Sequence, residues 1–284
     1  MYKLSGFADE IDQSLDNQMR TIKDLGMEWI ECRGVDGAPL ISYSLEDAEK
    51  IRKRLDANGI KLSSVGSSIG KIGINDDFEP HFELFKHTCE IAKLFGTRNI
   101  RMFSFFIPEG EDAGKYEDEV MRRLDKLAGY AAKNSLVLLH ENEKEIYGDI
   151  APRCLKIMER FYSDNFKGVF DFANFVQCHQ DTLEAWDMLK KYIVYIHVKD
   201  AKWSDGSVVP AGYGDGHLEE ILTDLKNEGY DGFLSLEPHL ADFQGFQALE
   251  NGSSIKAGKK LTGVEAFTLA HDSLLALLDK IDWK

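Results

Sequence analysis

Short apolar runs alternate with segments of helical period along the whole chain, and this alternation is what most narrows the folds open to it. The runs are Lys3–Phe7, Trp29–Cys32, Leu62–Val65, Asn99–Phe103, Leu136–Glu141, Gly168–Phe172, Ile193–Val198 and Phe233–Glu237. Each has the length of a strand. Between them lie amphipathic stretches such as Leu84–Phe95, Glu117–Lys133 and Leu218–Asn227, whose apolar positions recur with a helix's period. Strands that alternate with helices pair in parallel through right-handed crossovers. Eight such units, each roughly 30 residues long, predict an α/β fold of the (β/α)8 TIM-barrel type. A doubly wound open sheet is the main rival. No GxGxxG follows the first run, which weakens the dinucleotide-binding version of that rival.

The residues between the elements support the same division. Gly26, Gly59, Gly96 and Gly229 each sit between a helical run and a strand, with Asn134 in the equivalent place once. A left-handed residue that ends a helix belongs there, and Gly or Asn tolerates that conformation. Ser44 with Asp47, and Asp181 with Glu184, fit helix N-caps. The polar segment Glu250–Lys260 reads as a loop before a last helix, Val264–Leu278. No Pro-, Gly- or Ser-rich linker divides the chain, so one domain over residues 1–284 is expected.

Composition excludes some function classes. The formal net charge of -15 repels phosphate backbones, and no basic run offsets it, so nucleic acid is not expected as a partner. No apolar run approaches the roughly 20 residues of a membrane span. Cys32, Cys89, Cys154 and Cys178 form no CxxC pair. With no signal peptide in view, they read as reduced thiols of a cytoplasmic protein.

The strand ends carry the chemistry. LVLLHE ends at Glu141, GVFD at Asp171, YIVYIH at His197 and FLSLE at Glu237, about one strand–helix unit apart. In a barrel all four fall at the C-terminal rim, where active sites of this fold lie. Side chains alternate faces along a strand, so Val137, Leu139 and Glu141 share one face, as do Ile193, Tyr195 and His197, and Phe233, Ser235 and Glu237. If those faces point inward, the end groups converge. Three carboxylates and an imidazole suit one divalent cation such as Mn²⁺, Mg²⁺, Co²⁺ or Zn²⁺. One Asp or Glu after a strand is ordinarily a cap or a solvated loop residue; four consecutive strands ending this way are not explained so.

Other residues have two readings each. Lys199 shares parity with His197 and could anchor a substrate oxygen, or pair with Asp200 or Asp171 at the rim. His239 could face the pocket or be a loop residue after Pro238. Asn142 and Asn174 could hydrogen-bond substrate hydroxyls or shape turns. Glu143 could be a further base or a solvated group, and Phe7, Trp203 and Tyr213 could wall a sugar pocket or simply pack. Lys71, Arg101 and Lys199 are candidates for a phosphate site. His81, His87, His217 and His271 have no ligand spacing and read as structural.

The stretches HENE (140–143), FDFANF (170–175), IHVKD (196–200) and LEPH (236–239) resemble the strand-end motifs of the xylose-isomerase-like TIM-barrel superfamily. The run from VVPAGYGDG to LEPH is similar to that family's passage into its last strand, and GFADEI (6–11) and IECRG (30–34) match more loosely. The resemblance implies that Glu141, Asp171, His197 and Glu237 form a single metal site. It also implies that Glu141 and Glu237 are an acid/base pair acting on a sugar or sugar phosphate. Asn174 stands where epimerases often have a His, and Lys199 and Lys202 where several have an Arg. The chemistry expected is proton abstraction beside a metal-bound carbonyl through an enediolate, giving an isomerase or epimerase. A lyase on a keto-inositol or 3-keto-glycoside is the nearest alternative, followed by an endonuclease or a non-catalytic sugar-binding barrel. Many barrels of this group form homo-oligomers.

Overall fold

The computed structural model describes residues 2–241 and 261–284; the expected loop Glu250–Lys260 lies outside the described residues. Eight parallel strands form one sheet: β1 (Lys3–Gly6), β2 (Trp29–Cys32), β3 (Lys61–Gly66), β4 (Asn99–Met102), β5 (Val137–Glu141), β6 (Phe166–Asp171), β7 (Ile193–Val198) and β8 (Phe233–Leu236). Their order in space is β1-β8-β7-β6-β5-β4-β3-β2. A parallel bridge between Phe7 and Glu31 joins β1 to β2 at the other side and closes the barrel. The eight apolar runs of the sequence are these eight strands, shifted by a residue or two at their ends.

Among the described residues, eight main helices follow the strands: α1 (Leu15–Asp24), α2 (Leu45–Ala57), α3 (Phe78–Leu94), α4 (Glu117–Lys133), α5 (Ala151–Phe161), α6 (Thr182–Leu189), α7 (Leu218–Asn227) and α8 (Gly263–Lys280). Ser44 and Asp181 cap α2 and α6, each accepting the backbone N–H three residues on. Thr262 and Glu265 close a reciprocal capping box on α8. Gly26, Gly59, Gly96 and Gly229 have positive φ as expected. After α4 the expectation shifts by one residue. Ser135, not Asn134, takes the left-handed conformation; Asn134 is the C-cap that follows Lys133, at φ -102°, and its side-chain amide donates to the Tyr130 carbonyl.

The barrel interior is mixed. Leu139, Val169 and Tyr195 form an apolar layer with Val137, Val194 and Phe233. Beside it the hydroxyls of Ser5, Ser63 and Tyr195 bond in series at 2.6 and 2.8 Å. Buried polar groups are tolerated there because each has a partner. The helices pack their apolar faces on the outside of the sheet in one large core. Among the described residues, all four cysteines are free thiols and no helix is long and apolar enough to cross a membrane.

The loop after β3 is laced to the extension of β4. Phe103 N–H donates to the Ile69 carbonyl at 2.8 Å and Phe105 N–H to the Gly70 carbonyl at 3.0 Å. Gly70 has φ +91°, and a Cβ there would lie 2.1 Å from the Phe103 carbonyl oxygen. His81 on α3 accepts the Gly70 N–H at 2.7 Å, and burial holds its imidazole down at about 4, so it stays a neutral acceptor. Gly70→Ala is expected to lower stability by about 2 kcal/mol or more, from strain and backbone collision together. Urea unfolding of the variant beside the parent measures it, and an unchanged midpoint contradicts the rigid loop.

Candidate metal centre

Glu141 is the last residue of β5 and Asp171 the last of β6; His197 lies one residue from the end of β7, and Glu237 follows β8 directly. The four side chains are buried, and one ligand atom from each lies within 4.8 Å of the others. The strand-end reading therefore brings all four together. The alternation of faces does this: register pairs Asp171 with His197 and Val169 with Tyr195, so both strands present the same parity inward.

Each ligand atom has a support. His197 Nδ1 faces Glu141 Oε1 at 2.8 Å and Glu237 Oε2 at 3.8 Å. Its other nitrogen, Nε2, donates to Glu31 Oε2 at 3.0 Å, and Ser235 Oγ donates to the same oxygen at 2.9 Å. A carboxylate that takes the Nε2 proton leaves the Nδ1 lone pair for a metal. Glu31 is fully buried on β2 and was not singled out in the sequence; its signals were an acidic residue inside the apolar run WIEC and its place in the stretch IECRG.

The asparagines fix the carboxylates. Asn142 donates to the Asp171 carbonyl and accepts the Asp171 N–H, both at 2.9 Å, which clamps the ends of β5 and β6. Asn174 N–H donates to Asp171 Oδ1 at 2.8 Å, and its side-chain amide donates to the Asn142 carbonyl at 2.9 Å and Glu141 Oε1 at 3.4 Å. Lys199 is buried and pairs with Asp171 Oδ2 at 3.1 Å and Glu237 Oε2 at 2.9 Å. Of its two expected partners it takes Asp171; Asp200 instead accepts backbone N–H groups from Ala201, Gly212, Gly214 and Gly216.

A second group adjoins the first. His239 Nε2 lies 3.4 Å from both Glu237 Oε1 and Glu10 Oε1. Arg33 pairs with Asp9, Glu10 and Glu237. Glu10 and Arg33 were not singled out in the sequence: Glu10 lies in the 3-10 turn after β1, and Arg33 follows β2 directly, but as a cation it does not read as a metal ligand. Glu143 pairs with Lys71 at 3.0 Å. Phe7 lies edge-on to His197, 5.2 Å between ring centres. Trp203 and Tyr213 are 42% and 67% exposed, so the structure does not gather them with the buried cluster. His81, His87, His217 and His271 are all engaged elsewhere, to Gly70, Tyr43, Thr182 and Asp272.

The charges explain the proton affinities. Burial raises Asp171 well above the ordinary carboxylate range, with Glu237 and Glu141 adding to it and Lys199 only partly offsetting it. Burial would raise Glu237 too, but Lys199, His239 and His197 outweigh it and hold it well below. Burial would lower His197, yet Glu141 and Glu31 outweigh that and hold it well above the ordinary imidazole range. Burial would also raise Glu143, but Lys71 and Lys199 hold it at about 2. Three oxygen donors and an Nδ1 lone pair, held by fixed partners, fit a divalent cation such as Mn²⁺, Mg²⁺, Co²⁺ or Zn²⁺.

The fold and this cluster define a parallel barrel with a carboxylate–imidazole centre at the C-terminal mouth. The chain belongs to the xylose isomerase-like TIM barrel family, whose model matches residues 19–258. It is 21% identical over 253 residues to the 3-dehydroshikimate dehydratase of Bacillus anthracis, covering 83% of this chain and 86% of that one. Among solved structures, it resembles L-ribulose 3-epimerase with a TM-score of 0.76 at 16% identity, covering 99% of this chain and 96% of the other. It also resembles the IOLI protein with a bound zinc atom, with a TM-score of 0.75 at 18% identity, covering 98% and 99%.

Two outcomes follow from the geometry. Glu31→Gln is expected to weaken Mn²⁺ binding by about 10–100-fold, as loss of an outer partner does, read by titration of the metal-free protein. Asp171 and His197 both hold protons more tightly than usual, and metal binding must displace them. Metal affinity is therefore expected to fall as pH falls, beginning above histidine's ordinary 6.5. Calorimetry in buffers of different ionisation enthalpy would register the released protons; affinity flat from pH 8 to 6 contradicts the assignment.

Proposed function

We propose that this chain is a divalent-metal-dependent enzyme that removes a proton beside a carbonyl of a sugar or polyol, forms an enediolate, and returns the proton as an isomerase or epimerase. The observation that carries this reading is the convergence of Glu141, Asp171, His197 and Glu237, from four strands, within 4.8 Å. The barrel acts as a single domain in this reading. Bound at those four groups, one divalent cation would polarise a carbonyl and acidify the C–H beside it.

The chain's own residues handle the proton. Glu237 is held ionised by Lys199, His239 and His197 against the effect of burial, and is the base. Glu141 comes from β5, which is not a neighbour of β8 in the sheet. It therefore approaches from another side and can deliver a proton to the opposite face. Lys199 donates to a substrate oxygen from its place between Asp171 and Glu237, and His239 does so from the Glu10 side. Asn142 and Asn174 act by holding Asp171 and Glu141.

A lyase is the second reading, favoured by the likeness to a dehydratase. The same base takes the proton, a carbon–carbon double bond forms, and the β-oxygen departs with a proton from the acid partner. Lys199, an ammonium inside the cluster, is the donor placed for that oxygen.

The test is solvent exchange in D₂O with metal-loaded protein on a panel of ketoses, keto-inositols and keto-glycosides. Deuterium is expected to enter beside the carbonyl, and Glu237→Gln to slow it by about 10²–10⁴-fold. An isomer as product identifies the first reading; a dehydrated or cleaved product identifies the second. Stoichiometric metal with no exchange on any compound overturns both.

A further inference from the structure

Arg101 is inward on β4, in register with Leu139, and is only 2% exposed. Its guanidinium carbon lies 4.9 Å from the centre of the Phe7 ring and 4.7 Å from that of Phe103. Arg33 lies over the same Phe7 ring at 4.5 Å, and Lys71 over the same Phe103 ring at 4.4 Å. The mouth of the barrel thus carries a series of cation, ring, cation, ring, cation. Aromatic faces attract these cations without using their N–H groups.

A guanidinium has five N–H donors. Arg101 Nη1 donates to Glu141 Oε2 at 3.1 Å. Nε and Nη2 are buried and have no acceptor among the described residues. These two nitrogens share one edge of the guanidinium. Their N–H bonds run parallel and match the two oxygens of a carboxylate or a phosphoryl group. Leaving such donors unpaired in a buried place is costly. The edge also belongs to a residue that touches Glu141, so whatever it binds sits beside the metal centre.

We propose that the substrate carries an anionic group, a carboxylate or a phosphate, and that the Nε/Nη2 edge of Arg101 receives it. This inference rests on the metal-centre reading, since it specifies what enters that centre. Lys71 lies over the same Phe103 ring as Arg101 and is paired to Glu143. The alternative occupant is an ordered water shared with Glu31 Oε1, which is also buried without a donor; a water brings no preference for a charged substrate.

The experiment compares three ligands with one six-carbon ketone frame: fructose, fructose 6-phosphate and fructuronate. Binding is read by calorimetry on the metal-loaded protein, so turnover is not needed. One or both anionic ligands are expected to bind about 10–100-fold more tightly than fructose. Which one does so distinguishes phosphate from carboxylate. Arg101→Lys keeps a cation beside Glu141 but loses the parallel edge, and Arg101→Met fills the space between the rings. With metal content measured in each, both variants are expected to lose the preference. Equal affinity for the three ligands, no binding by either anion, or a preference that survives in Arg101→Lys overturns the inference. Those results leave deuterium exchange on neutral ketoses unaffected, and failure of exchange leaves the binding comparison intact.

Discussion

Carboxylates cannot be buried side by side without counter-charge, and the mouth of this barrel is organised around that constraint. Glu31, Glu141, Asp171 and Glu237 come from β2, β5, β6 and β8, with Glu10 beside them from the loop after β1. The cations that answer them are Arg33 just past β2, Arg101 on β4, His197 on β7 and Lys199 just past β7. Each of these pairs joins residues from different strands. Charge balance is reached only when the sheet closes, so the closed barrel and the compensated site are one arrangement. Removing one partner of such a buried set leaves a charge unanswered, at a cost of about 3–5 kcal/mol.

Much of this was legible in the sequence, for physical reasons. A strand of a parallel barrel is buried on both faces and reads as an unbroken apolar run, so the eight strands stand out. A polar residue that ends such a run marks the rim, which is why Glu141, Asp171, His197 and Glu237 could be named from spacing and parity. Glu31 could not. It lies inside its run, beside a register shift between Ile30 and Glu31, and strand parity alone does not say which residue a bulge turns inward. Glu10 reaches the site from the 3-10 turn after β1, where strand period carries no information, and Arg33 follows its run as a cation, which marks no metal ligand. The asparagines were visible, but whether an amide faces a ligand or clamps a backbone depends on contacts between strands.

Identities of 16–21% to a dehydratase and an epimerase, with near-complete coverage of the epimerase structure, show how loosely the barrel binds its sequence. Apolar volume and strand spacing hold the sheet, and many side chains satisfy both. The rim is less permissive, because each polar group there must meet a partner from another strand. Lys199 illustrates this. A lysine between two carboxylates carries the same charge as an arginine but as a compact ammonium, with three donors on one nitrogen rather than a planar fork.

Asp171 holds two positions at once. Its Oδ1 accepts the Asn174 N–H and caps the short helix Phe172–Gln177, while Oδ2 faces Lys199 and the cluster. The cap spends one oxygen on the backbone and fixes the carboxylate's rotation. On the proposed reading, this residue is a one-oxygen ligand by construction. A carboxylate restricted in this way fills one coordination position where an unrestrained one could fill two. On that reading, the helix that follows β6 would help decide how many places around an ion stay open to the molecule that enters.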